Sequence, residues 1–207
     1  LTEIGSTDSP TSYEGNPVTV PLLLNGAGEK NYKLEYYADG TGFEATAKKT
    51  VYYKILQEYK VTFSVADGQG KLQGAYGSQN LTAQNSGGTK TLTNVPHGTS
   101  VTFTATADNG YEVDSWEVSP GTFATGGGTG TSAALKVTGD TTVKVKFKKK
   151  VYNVRFSVAG GEGELQGDYN DGSFHSAATQ NGGAEAKLEK VPHGTSITFT
   201  ATPNTSN

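Results

Sequence analysis

Through residues 59–150 the apolar positions recur at every second residue, which is the spacing of strands that bury one face and wet the other. Val61, Phe63 and Val65 fall on one side of such a strand, and Lys60, Thr62 and Ser64 on the other. Val101, Phe103 and Ala105 alternate with Thr102, Thr104 and Thr106. Val143, Val145 and Phe147 alternate with Lys144, Lys146 and Lys148, which directs the lysines to water. Asp67-Gly68 and Asn109-Gly110 are dipeptides that favour tight reversals. They predict two hairpins, the first returning through residues 71–76 and the second through 111–118. A Gly/Ser/Thr-rich loop is expected over 119–132, ahead of a strand at Leu135 and Val137. Val95-Pro96-His97-Gly98 predicts a type I turn, with Pro second and Gly fourth. No stretch has the i, i+3, i+4, i+7 apolar spacing of a helix longer than a turn or two, so an all-β chain is expected.

The chain repeats itself. Tyr59 opens YKVTFSVADGQGKLQGAY, and 93 positions later Tyr152 opens YNVRFSVAGGEGELQGDY, identical at 12 of 18 positions. VPHGTSVTFTAT from Val95 returns 96 positions later as VPHGTSITFTAT from Val191, identical at 11 of 12. The three extra residues of the second copy fall near Asn170 to Ser173, a polar, Gly-containing stretch of the kind found at surfaces. Self-similarity at this period means tandem units, each with its own small core. The expected organisation is a β-rich region or tail of a preceding module at 1–58, a complete unit at 59–150 and a truncated second copy at 151–207. The second copy lacks counterparts of 111–147. Within 1–58, strands are expected at 17–24, 32–37, 42–47 and 51–56, and 7–16 reads as a linker.

Composition narrows the chemistry. A hydrophobic fraction of 33% in 207 residues suits several modest cores better than one large one. Glycine, at 28 residues, is roughly twice as frequent as in an average chain. The net charge of -3 outlines no nucleic-acid footprint. With no cysteine, disulfides, thiolate nucleophiles and thiolate zinc sites are excluded. No apolar run reaches the length of a membrane span. With no methionine either, the chain is expected to be a processed or internal piece of a longer protein.

The segment TFTATADNGYEVDSWEV, followed after a Gly-rich loop by a Thr/Val/Lys strand ending KVKF, resembles the divergent internalin-type B repeat of bacterial surface proteins. Its motif of Gly-Tyr, a short spacer and Trp corresponds to Gly110, Tyr111 and Trp116. The resemblance covers most of 59–150 and the first part of the second copy. It implies an exported, often wall-associated, adhesin-like and virulence-associated protein, and a β-grasp-like fold with a short helix. The residues here show no helical period. The architecture expected is therefore tandem small antiparallel β-sheet domains, β-grasp-like or sandwich, in an elongated array.

Candidate sites are few. Trp116, the single tryptophan, breaks the parity of Tyr111 and Val113, so either a bulge near Asp114-Ser115 returns it to the core or its ring faces outward as a stacking platform. Tyr76 and Tyr169 are the other candidate ligand contacts. His97 and His193 occupy equivalent turns and are read as turn residues, not metal ligands. His175 has no companion, and the Asp67-Gly68-Gln69-Gly70 stretch lacks the alternating oxygen ligands of a calcium loop. No nucleophile, base and orienting acid converge, so neither an enzyme nor a cofactor is expected. The reading is a secreted or cell-surface stalk and adhesion module, monomeric as a fragment, with a host or bacterial surface protein or glycan as partner and no nucleic acid. The alternatives are a carbohydrate-binding accessory module of a secreted enzyme, using Trp116, Tyr76 or Tyr169, and a structural surface-layer subunit.

Overall fold

A computed structural model describes residues 2–3, 29–37, 47–85 and 88–205. The linker expected at 7–16, the strand expected at 17–24 and all but the last residue of the strand expected at 42–47 lie outside the described residues. At the N-terminal end, β1 (Thr2–Glu3), β2 (Glu29–Tyr36) and β3 (Lys49–Leu56) form an antiparallel sheet in that order. Among its described residues, Tyr32 is the one buried apolar side chain.

The first repeat copy contains β4 (Glu58–Asp67), β5 (Gly70–Tyr76), β6 (Gln79–Gln84), β7 (Thr89–Pro96), β8 (Ser100–Ala107), β9 (Tyr111–Ser119), β10 (Thr125–Gly126), β11 (Ser132–Lys136) and β12 (Thr141–Lys149). They form two sheets, β7-β4-β12-β9 and β10-β11-β8-β5-β6. The apolar faces meet in one core. Val61, Phe63 and Val65 of β4 with Val143, Val145 and Phe147 of β12 face Leu72 of β5, Val101 and Phe103 of β8, and Leu135 of β11. All pairings are antiparallel except that of β4 with β12, the first and last strands of the unit, which run parallel at the centre of their sheet. Among the described residues there is no helix. The face a helix would cover is covered by the five-stranded sheet.

Neither predicted hairpin forms. Asp67-Gly68 carries the chain from β4 in one sheet to β5 in the other, and Asn109-Gly110 carries it from β8 across to β9. The reason lies at the edges of β4: β7 takes one and β12 the other, so no edge remains for β5. Turn-forming dipeptides give a tight reversal, but burial decides whether the next strand lies beside or opposite. The first repeat does have a hairpin, β5–β6, closed by Gly77 and Ser78. The Val95 turn is also one residue later than predicted. Thr99 N–H donates to Pro96 O at 3.2 Å and Gly98, at φ +78, takes the third position, which makes it a type II turn.

Close approach of the two sheets requires glycine at Gly74 of β5. A Cβ on Gly74 would lie 2.8 Å from the Phe63 ring and 3.1 Å from that of Phe103, two rings that meet edge to face at 5.6 Å. The second copy repeats this with Gly167 against Phe156 and Phe199.

The second copy contains β13 (Val151–Phe156), β14 (Gly163–Asn170), β15 (Phe174–Gln180), β16 (Ala186–Pro192) and β17 (Thr198–Pro203), in the sheets β13-β16 and β15-β14-β17. These match β4 to β8 one for one. The inserted residues form the exposed tip of the β14–β15 hairpin, as expected for an added surface loop.

Candidate interaction surfaces

Trp116 lies on β9 just past a bulge. Lys146 pairs with Ser115 while the next residue, Phe147, pairs with Val113, so Asp114 is the extra residue. The bulge returns Trp116 to the side of its partner Val145, whose side chain is fully buried. The indole packs against the edge of the core, meets Phe123 edge to face at 5.8 Å and donates its N–H to Gly130 O at 2.8 Å. The 119–132 loop, part of which forms β10, is thereby pinned to β9.

Tyr76, at the end of β5, is half buried against the same core. Tyr169 is 4% exposed and donates its hydroxyl hydrogen to Glu189 O at 2.9 Å. Its ring stacks on His175, centroids 4.4 Å apart, and His175 in turn contacts Asp171 at 3.1 Å. Burial raises the Tyr169 phenol above its ordinary pKa. Among the described residues no ring contact joins Trp116, Tyr76 and Tyr169.

The outer face of β9 and β12 is ionic. Lys146 pairs with Glu117, and Lys148 lies 3.4 Å from Asp114 and 3.8 Å from Glu112. The hydrogen bond from Lys146 holds the Glu117 carboxyl below its ordinary value and raises the lysine. A shallow recess of ≈ 290 Å³ lies here, lined by Glu117, Val118, Ser119, Thr142 and Lys144.

The second copy presents an uncovered apolar face. Val61, Phe63, Val101 and Phe103 are at most 1% exposed. Their counterparts Val154, Phe156 and Ile197 are only partly buried, and Phe199 is 48% exposed. In the first copy β11 and β12 cover these positions.

His97 and His193 occupy matching turns. Their rings lie 5.9 Å from Tyr59 and 6.0 Å from Tyr152. Sequence reasoning did not foresee that His193 also touches the first copy, at Gly110. Among the described residues no three His, Cys, Asp or Glu side chains gather as a metal group, and no helix is long and apolar enough to cross a membrane.

Compared with known protein families, residues 79–151 match the model of the divergent InlB B-repeat domain. Over this segment the chain is similar to a divergent InlB B-repeat. The match begins at β6 and ends at the first residue of β13, about a third of the chain and a narrower span than the 59–150 read from the residues. It includes the B-repeat's Gly110, Tyr111 and Trp116 and the whole of β12. No curated protein and no solved structure matches the chain.

Proposed function

We propose that the chain is a non-enzymatic part of a bacterial cell-surface or secreted protein, in which tandem B-repeats extend a stalk and offer sheet surfaces to a partner protein. One observation supports this above the others. The chain passes from one repeat to the next through a single residue, Lys150, between β12 and β13, within a sequence that includes a B-repeat match. Domains joined without slack transmit position, which is the task of a stalk. The surfaces available for contact are the ionic outer face of β9 and β12 and the edges of the sheets, where an extended partner segment can add as a strand.

Two measurements test the reading. Small-angle scattering of the chain is expected to give a maximum dimension well beyond that of a sphere of equal mass; a compact particle would remove the stalk. Surface plasmon resonance against a panel of extracellular matrix and bacterial surface proteins is expected to yield a ligand whose binding weakens when Lys146 and Lys148 are changed to Glu. A glycan array with hits lost on Trp116→Ala would instead favour the carbohydrate-binding alternative.

A further inference from the structure

Lys150 is held from both sides. Its N–H donates to Gly110 O at 2.8 Å, and its carbonyl accepts the N–H of His193, also at 2.8 Å. Gly110 belongs to the β8–β9 connection of the first copy, whereas His193 lies in the β16–β17 turn of the second. The three residues thus tie one repeat to the next through backbone groups that the linker cannot satisfy by itself.

The side-chain geometry is more specific. Gly110 sits at φ +79, and a Cβ there would lie 2.0 Å from Cδ2 and 2.5 Å from Cγ of the His193 ring. No side chain fits that gap, so the imidazole rests on bare backbone. A turn chosen only for its conformation would not need this. Gly98 has nearly the same φ, +78, yet nothing lies within 4 Å of its Cβ position.

The His turn has the same form in both copies. His97 N–H donates to Gln57 O at 2.7 Å, as His193 does to Lys150 O. The Tyr59–His97 and Tyr152–His193 rings are tilted at 54° and 51°. One residue separates β3 from β4, just as one separates β12 from β13. In the first copy His97 Nδ1 is buried without a hydrogen-bond partner. The turn therefore recurs as an element of the repeat, tied in each copy to the single residue that precedes the first strand.

We propose that the Val-Pro-His-Gly-Thr turn is the docking surface by which a repeat seats on the glycine-bearing β8–β9 connection of the repeat before it, and that His193 on Gly110 locks the two copies at one angle. The partner is thus another repeat of this kind, recognised by a position that has positive φ and no Cβ. This goes beyond the stalk reading and stands without it, because a fixed joint serves any multi-module chain.

The absence of cysteine allows clean spin labelling at exposed positions, one in each copy, with Lys71→Cys on β5 and Gln180→Cys on β15. Electron–electron distance measurement on this chain is expected to give one narrow distribution. Gly110→Ala and, independently, His193→Ala are each expected to widen it about twofold or more, while Gly98→Ala leaves it narrow. Tryptophan fluorescence checks that the first copy stays folded, and His193→Ala decides the matter if Gly110→Ala does not. A broad distribution in the parent, an unchanged one in His193→Ala, or equal widening by Gly98→Ala would overturn the joint. A compact scattering profile together with a narrow distribution would remove only the stalk.

Discussion

Trp116 shows how much one side chain settles in a small sandwich. The parity break from Val113 to Trp116 leaves two orientations open, and the extra residue Asp114 selects the inward one because Phe147 and Val145 must both remain buried on the partner strand. Once inward, the indole needs a partner for its N–H, and Gly130 O provides it from the loop. Trp116→Phe keeps most of the apolar contact but removes this bond, for an expected loss of about 1 kcal/mol. Trp116→Ala also removes the contact with Phe123, and about 3 kcal/mol is expected for a large aromatic at the edge of a core. Chemical denaturation followed by circular dichroism measures both. The parent's fluorescence should be blue-shifted and poorly quenched by iodide; equal stability of the two variants would show that the ring adds nothing beyond its hydrogen bond.

At the level of elements, the strongest comparison is between equivalent strands with different cover. Phe63 on β4 and Phe156 on β13 lie against equivalent glycines, but of these two strands only β4 is paired with β12. Phe63→Ala should therefore cost about 3–5 kcal/mol, and Phe156→Ala less than half as much, each read from the unfolding of its own copy. The β9–β12 pair adds a pH dependence. Glu117 is held below its ordinary 4.5 chiefly by the Lys146 hydrogen bond. Its contribution is complete above the unfolded value and fades as pH falls through the lower, folded one. The melting temperature of the first copy should thus drop in acid below about pH 4.5, and Glu117→Gln should flatten that drop. Added salt should weaken the effect, because the pair faces solvent. The strands at 58–67, 100–107 and 141–149 were legible in the sequence because each keeps its period of two, and that at 111–119 was legible in spite of the break in period at Asp114. β6 was not, because only Leu81 and Ala83 mark it. β7 was hidden by a bulge: Leu92 and Val95 are both buried though three apart, with Asn94 at φ +54 between them, and Lys190 repeats this in the second copy. Which sheet each strand joins was not legible either, because a period of two shows which face is buried but not which edge is taken.

In the whole molecule, the two copies carry closely similar residues in their first, second and fifth strands yet bury them to different degrees. Similar apolar positions with unequal cover should give unequal stability, since full burial of a Val, Ile or Phe side chain is worth about 1.5–3 kcal/mol and Val154, Phe156, Ile197 and Phe199 each forgo part of that. Thermal unfolding should accordingly show two transitions. Trp116 fluorescence will follow only the upper one, because the single tryptophan belongs to the first copy. Circular dichroism will follow both. The cover that β13 and β17 lack is specified by the first repeat: a strand with Val, Val and Phe at alternate positions running parallel to the first strand, and a second strand beside β8. Extending the chain after Asn207 with a copy of residues 111–149 should therefore raise the lower transition by about 10 °C or more, at several degrees per kcal/mol for a unit of this size, and leave the upper one in place. The same extension with Val143, Val145 and Phe147 of the appended copy changed to Ser should leave the lower transition where it was. If the intact extension failed to move it, burial by the last strands would not be what separates the two copies, and the difference would have to lie in the residues at which their shared strands diverge.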